Sequence, residues 1–392
     1  MPIKTVKILS RDDNFPFGKS VENFFEKYFV SEDVEIYKFF YDPDPIYTGF
    51  EDLEKIEYKS KIIFWITNDS FDPAEDEGFI IDGRKDFRTE LKKIEKICKL
   101  HSDKIFIVCS WQFNLNSYID AKNLLVVNPI NTIFSKKYIR CSNKSIGNKK
   151  WVSLNNTMKP HRVALVSYLL SKDLNLTGLI TSGDNYHFLK GLKNLDEYVN
   201  EVFKYFNFKD YQKSIKKGFK RFKKKKYTDL NIPVGNYLKL QDNFLDDLMP
   251  IYKTTALEII ACSSFLDNNL IIGEKEIQNI YAQNFPIYIG PPGTAKIMKD
   301  FYGFDIFEDI IDHSYDSIKD PQTRLTSAID KNIHLLKDTV DLNTLWLKNK
   351  ERFEKNCDLA DKLYFNRSVQ QDFDFNEIKK ALDYFKIKYC KI

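Results

Sequence analysis

Short apolar runs alternate with helical stretches along most of this chain, and this alternation limits the possible folds more than any other feature. β-Branched and aromatic residues dominate the runs, and segments with a helical period separate them. Such an order predicts a parallel sheet flanked by helices. No GxGxxG motif follows the first run, so a dinucleotide-binding fold of that type is disfavoured. In the first part of the chain the predicted strands are residues 5–10, 34–40, 61–67, 104–110 and 124–129.

A second alternating series begins near residue 150, after the polar stretch 141–148. Because 392 residues exceed one ordinary core, we predict an α/β protein with two Rossmann-like lobes that face each other across a cleft. The predicted divisions are a lobe at 1–145, a lobe at 146–352 with a Lys-rich helical insertion at about 190–235, and a helical tail at 353–392. In the second series the predicted elements are strands at 149–154, 257–263 and 286–290, and helices at 161–174, from Glu274, from Thr294 to Phe301 and from Gln322 to Leu336.

Composition narrows the class of protein. The net charge of +4 is nearly balanced and by itself implies no polyanionic partner. No apolar run of about 18 residues predicts a membrane span, and the N-terminal residues show no signal-peptide pattern. The cysteines lack CxxC or CxxH spacing, and Cys109 and Cys262 fall in predicted strands, which favours free thiols over disulfides or zinc. These features predict a cytoplasmic protein.

A basic segment lies within the predicted insertion, at residues 211–227. Ile215, Phe219 and Phe222 share one face of a predicted helix, and cations cover the rest. One interpretation is a solvated amphipathic helix that docks by its aromatic face, and the other is a contact for DNA, RNA or another anionic surface. The candidate nucleic-acid residues are Lys216, Lys217, Lys220, Arg221, Lys223, Lys224, Lys225 and Lys226.

The sequence NNTMKPHR, at 155–162, joins a predicted strand to a predicted helix. Unpaired backbone N–H groups at a helix start, together with basic side chains, form a natural anion site. Arg162 offers a forked set of donors that matches phosphate. The segment therefore predicts an anion site, or else a helix start whose charges face the solvent. Its candidate ligand-binding residues are Asn156, Lys159, His161 and Arg162.

Two further segments add groups that suit a ligand with a ribose and a diphosphate. At the start of a predicted helix, the carboxylate of Glu274 suits the two hydroxyls of a ribose, and Lys275 suits a diphosphate. The turn Gly290-Pro-Pro-Gly-Thr294 ends a strand and opens a helix, so its backbone can approach a ligand closely. Each segment also has a plain structural interpretation, as a helix start and a rigid turn. The candidate residues here are Glu258, Glu274, Lys275, Gly290, Gly293 and Thr294.

A site for a diol and a diphosphate is what an enzyme that uses a nucleotide-sugar needs. When the nucleotide leaves such a sugar, negative charge develops on a phosphate, which a metal or fixed cations must stabilise. The two Asp-x-Asp triplets, at 42–44 and 372–374, follow no convincing buried strand, so we predict no metal and assign the charge to Arg162 and Lys275. Asp69, just after a predicted strand, is the candidate general base, with the start of a loop as its alternative. In DHSYD, the candidate sugar contacts or helix caps are His313 and Asp316.

These motifs together resemble the donor lobe of two-lobed (GT-B) glycosyltransferases of the fucosyltransferase-like kind, closest to relatives encoded by phages and giant viruses. The residues that carry the resemblance are NNTMKPHR and GEKEIQNIYAQNFPIYIGPPGTAKIMKDFYGFDIFEDIIDHSYD. The chain departs from the family pattern at Gly273, at Glu276-Ile277 and at His313. The first 140 residues carry no matching motif.

The resemblance implies a metal-independent transferase that moves a sugar from a nucleotide-diphosphate donor to an acceptor hydroxyl, on a glycan or on hydroxymethylated DNA. Glu274 would then hold the ribose, with Lys275 and Arg162 on the diphosphate, and the N-terminal lobe would hold the acceptor. The alternative is a non-catalytic protein that binds nucleic acid or another partner on a two-lobed fold.

Overall fold

Strands and helices alternate in the structure, a computed structural model of the chain, which divides into two compact units. We call Met1–Phe134 with Lys362–Ile392 the first unit and Ser135–Asp361 the second unit. The structure describes residues 8–10, 24, 27–31, 34–40, 61–67, 95–109, 121–126, 138–155, 160–181, 217–218, 220, 244–262, 265, 273–337, 339–365 and 367–391.

The described strands form a sheet in each unit and one short additional ribbon. In the first unit, the five-stranded sheet has the order β1-β3-β4-β5-β6, and all of its pairs are parallel. In the second unit, the four-stranded sheet has the order β10-β9-β7-β8 and is also parallel throughout. The ribbon pairs β2 with β11 in antiparallel fashion. The strands are β1 (Ile8–Ser10), β2 (Tyr28–Val30), β3 (Val34–Phe40), β4 (Lys61–Thr67), β5 (Ile105–Cys109), β6 (Leu124–Val126), β7 (Trp151–Ser153), β8 (Gly178–Ile180), β9 (Leu257–Ala261), β10 (Phe285–Ile289) and β11 (Tyr389–Lys391).

Helices connect the strands and cover the sheets. A π-helical segment, Asp361–Phe365, precedes the last helix. None of the helices in the described part of the chain is both long and apolar enough to cross a membrane. The helices described with both of their bounds are α1 (Pro160–Ser171), α2 (Phe244–Tyr252), α3 (Glu274–Ala282), α4 (Thr294–Asp300), α5 (Pro321–Lys331), α6 (Ile333–Leu336), α7 (Leu342–Lys348), α8 (Lys350–Ala360) and α9 (Arg367–Tyr384).

In the first unit the C-terminal helix α9 packs into the core. Its residues Ile378, Ala381 and Leu382 are buried in one cluster with Ile63 and Phe106 from the sheet. Spacings of three and four residues place those side chains on one helical face, which explains why this polar-looking helix has a stable partner. The last part of the chain is therefore part of the first unit.

In the second unit the sheet is buried on both faces. Every residue of β9 and β10 is buried, as expected of parallel strands covered by helices on both sides. Leu257 and Ile259 contribute to the main core cluster, which also contains Leu165 and Leu169 of α1. The prediction of an α/β protein with parallel strands and helices is confirmed.

The helix predicted at 322–336 is two helices in the structure, α5 and α6. Asn332 separates them, because its side-chain amide donates to the carbonyls of Ala328 and Asp312 at 3.0 Å each. Its Oδ1 accepts from the backbone N–H of Asp312 at 2.9 Å. A short polar side chain that bonds the backbone in this way competes with helix propagation.

Candidate functional site

Three helices of the second unit begin at the same edge of its sheet. Strands β7, β9 and β10 run parallel, so their carboxyl ends lie side by side. Along the chain, α1 follows β7, α3 follows β9, and α4 follows β10. In open α/β sheets this edge is where ligands bind, because helix starts and loops converge there. We call it the carboxyl edge.

His161 and Arg162, in the first turn of α1, both reach the end of β9. Ring atom Nε2 of His161 lies 3.0 Å from the carbonyl oxygen of Cys262. The Nη2 group of Arg162 donates to the carbonyls of Ala261 and Cys262, at 3.2 and 3.3 Å. Both residues are buried. The first turn of α1 therefore directs a guanidinium into the carboxyl edge, and its charge there does not face bulk solvent.

Lys275, in the first turn of α3, crosses to the end of β7. Its Nζ donates to the carbonyl oxygen of Leu154 at 2.7 Å, and the residue is half-buried. The next residue, Asn155, is fully buried, and its amide donates to the carbonyl and hydroxyl of Ser153. Two cation-bearing side chains from different helices, Lys275 and Arg162, thus bond carbonyls at the ends of adjacent strands. Positive charge therefore stands at the ends of both strands.

The turn after β10 is held closely by the protein itself. A Cβ atom on Gly290 would meet Thr294 Oγ1 at 2.5 Å and Cys262 Sγ at 2.8 Å, so only glycine fits there. Gly293 has a φ of 89°, the left-handed region that glycine adopts without strain. Because both glycines have these structural requirements, the turn has a defined shape at the carboxyl edge.

Asp316 caps helix α4. Its carboxylate accepts from the backbone N–H of Lys296 at 3.1 Å, and its carbonyl accepts from Gly293 N–H at 2.9 Å. Burial raises the pKa of Asp316, and the N–H groups of the helix start oppose that rise. His313 is bonded nearby, with Nε2 at 2.9 Å from the carbonyl of Ile306. The sequence left two interpretations of DHSYD, contact with a sugar or a helix cap. In this structure Asp316 is a helix cap.

Arg324 and Phe265 belong to the same edge, and no sequence motif indicated them. The guanidinium of Arg324 is buried and its Nε donates to the carbonyl of Gly290 at 3.0 Å. Its Cζ lies 4.8 Å from the centre of the Phe265 ring. The only available signal was the scarcity of arginine in a lysine-rich chain, which made each arginine notable.

Glu258 lies farther from the carboxyl end of β9 than these groups. It is the second residue of β9, roughly 10 Å from the strand's carboxyl end at about 3.3 Å per residue. Its Oε2 accepts from the side-chain amide of Asn279, in α3, at 3.1 Å. Burial raises the pKa of Glu258 to about 7, against the effects of Asn279, Lys275 and Lys144. Glu258 is thus a buried acid beneath α3.

Glu276 is a second buried acid, and it lies nearer the carboxyl edge. Its Oε2 accepts from the backbone N–H of Gly273 at 2.8 Å, which caps the start of α3. Burial raises its pKa, and the Cys262 thiol and this backbone hydrogen bond oppose that rise. The spacing of three residues from the helix start is the sequence signal for this cap.

The remaining candidates are described only in part. Glu274 begins α3, but only its backbone is described. Lys217 and Lys220 are exposed and helical. No cluster of three or more metal-ligating side chains occurs among the residues that the structure describes. The candidates that lie outside the described residues are Asp69, Asn156, Lys159, Lys216, Arg221, Lys223, Lys224, Lys225 and Lys226.

No protein-family model, curated protein or solved structure matches the chain. What the second unit presents by itself is a parallel α/β sheet with Arg162, His161 and Lys275 gathered at its carboxyl edge.

Proposed function

We propose that the protein is a glycosyltransferase that moves a sugar from a nucleotide-diphosphate donor to an acceptor hydroxyl without a metal. The observation that carries the proposal is that Arg162 and Lys275 donate to carbonyls at the ends of the adjacent strands β9 and β7. Two fixed cations on either side of one edge suit a diphosphate, whose two phosphates each carry negative charge. The two-lobed GT-B arrangement belongs to this proposal, and the separate parallel sheet in each unit supports it.

In the proposed reaction the acceptor oxygen attacks the anomeric carbon of the donor sugar. The bond from that carbon to the diphosphate oxygen breaks, and the electron pair remains on the leaving diphosphate. Arg162 and Lys275 stabilise the charge that develops there, since donors already in position cost no reorganisation during the reaction. The acceptor proton passes to a general base, for which Asp69 is the candidate. The carboxylate of Glu274, at the start of α3, would accept hydrogen bonds from the ribose hydroxyls.

The experiment is a binding measurement with UDP, GDP and hexoses linked to them, by thermal shift and by calorimetry. We expect at least one of these compounds to stabilise the protein. Lys275→Ala should weaken its affinity roughly 10- to 100-fold, because a hydrogen bond to a charged group contributes about 1.5–3 kcal/mol.

Lys253→Ala is the matched control for this experiment. Lys253 is exposed and precedes β9, so it lies at the opposite edge of the same sheet. Its substitution should leave the affinity unchanged. If no compound binds, or if Lys275→Ala binds as tightly as the wild type, the enzyme proposal fails.

A second candidate function is nucleic-acid binding, and the exposure of Lys217 and Lys220 favours it. Gly218 between them is buried, and a Cβ there would meet the Ser167 carbonyl at 1.7 Å. The backbone at this point therefore packs on α1 while the two lysines face away. If the segment binds DNA, the affinity should fall steeply with salt and with the paired substitution of Lys217 and Lys220 by Gln. A salt-independent affinity would remove this candidate.

A further inference from the structure

Arg324 ties together three separate segments around the carboxyl edge. Its guanidinium donates to four main-chain carbonyls, those of Gly290, Ile318, Lys319 and Phe265. Gly290 follows β10, Phe265 follows β9, and Ile318 and Lys319 precede α5. A planar fork of donors can bond several carbonyls at once, which a lysine ammonium cannot do in the same geometry.

The ring of Phe265 contacts both Arg324 and the first turn of α1. One face of the ring receives the Arg324 guanidinium at 4.8 Å, and the His161 ring stacks on it at 5.1 Å with an angle of 17° between the planes. His161 in turn meets the carbonyl of Cys262, the same oxygen to which Arg162 donates. Arg324 contacts Phe265, Phe265 contacts His161, and His161 bonds the same carbonyl as Arg162.

We infer that Arg324 is a positioning residue for the anion site, acting through Phe265 and His161 on Arg162 and through Gly290 on the turn after β10. The inference rests on the proposed function, since the site that Arg324 orders is the diphosphate site. Packed side chains transmit displacement because protein interiors have little free volume. A change in Arg324 therefore misaligns Arg162 and the turn without removing a phosphate contact.

The test compares Arg324→Lys with Arg352→Lys. Arg352 shares the contact with a phenylalanine ring in the same unit, since its Cζ lies 4.6 Å from the centre of the Phe307 ring, but it is half-buried and bonds the carboxylates of Asp305 and Asp309. It lies in α8, which does not contribute to the carboxyl edge. Both variants lose a guanidinium from a phenylalanine ring, so both report the structural cost. A third variant, Phe265→Leu, removes the stack and keeps the main-chain carbonyl that Arg324 binds.

We expect Arg324→Lys and Phe265→Leu to weaken UDP or GDP binding about tenfold, the size of effect of one misaligned charged hydrogen bond. Arg352→Lys should leave that affinity unchanged when its loss of thermal stability is similar. If Arg324→Lys loses stability as Arg352→Lys does and keeps the wild-type affinity, Arg324 has only a structural role.

A second readout separates this inference from the proposed function. The chain has five histidines, so the ring signals of His161 can be assigned by NMR with a His161→Gln variant. Arg324→Lys and Phe265→Leu should shift those signals, and Arg352→Lys should not. If the wild type binds neither UDP nor GDP but these shifts occur, the proposed function fails and the positioning role remains. Unchanged His161 signals in both variants overturn the positioning role.

Discussion

Replacing Glu258 by Gln should stabilise the protein, and the gain should increase with pH. The carboxyl of Glu258 is 2% exposed, and burial raises its pKa to about 7 from an ordinary value of 4.5. Lys275 and Lys144 oppose this rise, and Glu276 adds to it. Glutamine has the same shape, and its carbonyl can still accept from the Asn279 amide that now bonds Glu258.

The sign follows from proton linkage. Because the folded pKa lies above the unfolded pKa, the protonated carboxyl favours folding, and this contribution is lost as the pH rises. Between the two pKa values the loss is about 1.4 kcal/mol per pH unit. From about pH 5 to about pH 8, the free energy of unfolding of Glu258→Gln should therefore gain about 2.5 kcal/mol on that of the wild type.

The assay is urea unfolding of both proteins at several pH values, followed by circular dichroism. Glu351→Gln is the control, since Glu351 is exposed and a hydrogen bond from Lys355 lowers its pKa. The pKa of Glu351 lies below about 5 in both the folded and the unfolded protein. The difference in the free energy of unfolding between Glu351→Gln and the wild type should therefore stay constant across this pH range. If the difference in the free energy of unfolding between Glu258→Gln and the wild type is also flat, or falls with pH, the folded pKa of Glu258 is not raised.

Two further predictions concern packing and thiol chemistry. Gly178→Ala should destabilise the protein by about 3 kcal/mol, because the new Cβ would lie 2.0 Å from the buried Trp151 ring. The control is Gly147→Ala, which has open space around it and should unfold at the same urea concentration as the wild type. Equal effects of the two substitutions would contradict this packing. In a Cys109→Ser background, Ellman's reagent should modify only Cys390 rapidly in the native protein, because burial raises the pKa of the other thiols. Rapid reaction of a second thiol would contradict this. Those other thiols are Cys98, Cys141, Cys262 and Cys357.

The strands were predictable because their signal is local. The bounds predicted for 34–40 and 61–67 are those of β3 and β4, since long β-branched and aromatic runs admit few other interpretations. At β7 the prediction covered 149–154, and the strand is the shorter Trp151–Ser153. The helix predicted at 322–336 was wrong at Asn332, whose bonds to Asp312 depend on a loop twenty residues away in sequence.

The candidate site was predictable only where a side chain acts close to its own helix start. His161, Arg162 and Lys275 were proposed from their places at helix N-termini, and the structure brings all three to the carboxyl edge. Glu258 was proposed from its neighbourhood in sequence, yet its side chain lies beneath α3. A strand position predicts the face of a sheet and not the partner on that face.

The sequence by itself determined the α/β class, most of the strands and the helix starts that carry basic residues, because the period of apolar residues and the chemistry of helix ends are local properties. Only the tertiary structure decided which distant groups meet. Arg324 bonds Gly290 and Phe265, 34 and 59 residues away, and Asp316 caps a helix that begins 22 residues before it. Such contacts depend on how strands are ordered and how helices pack over them, and no local pattern in the chain encodes that order.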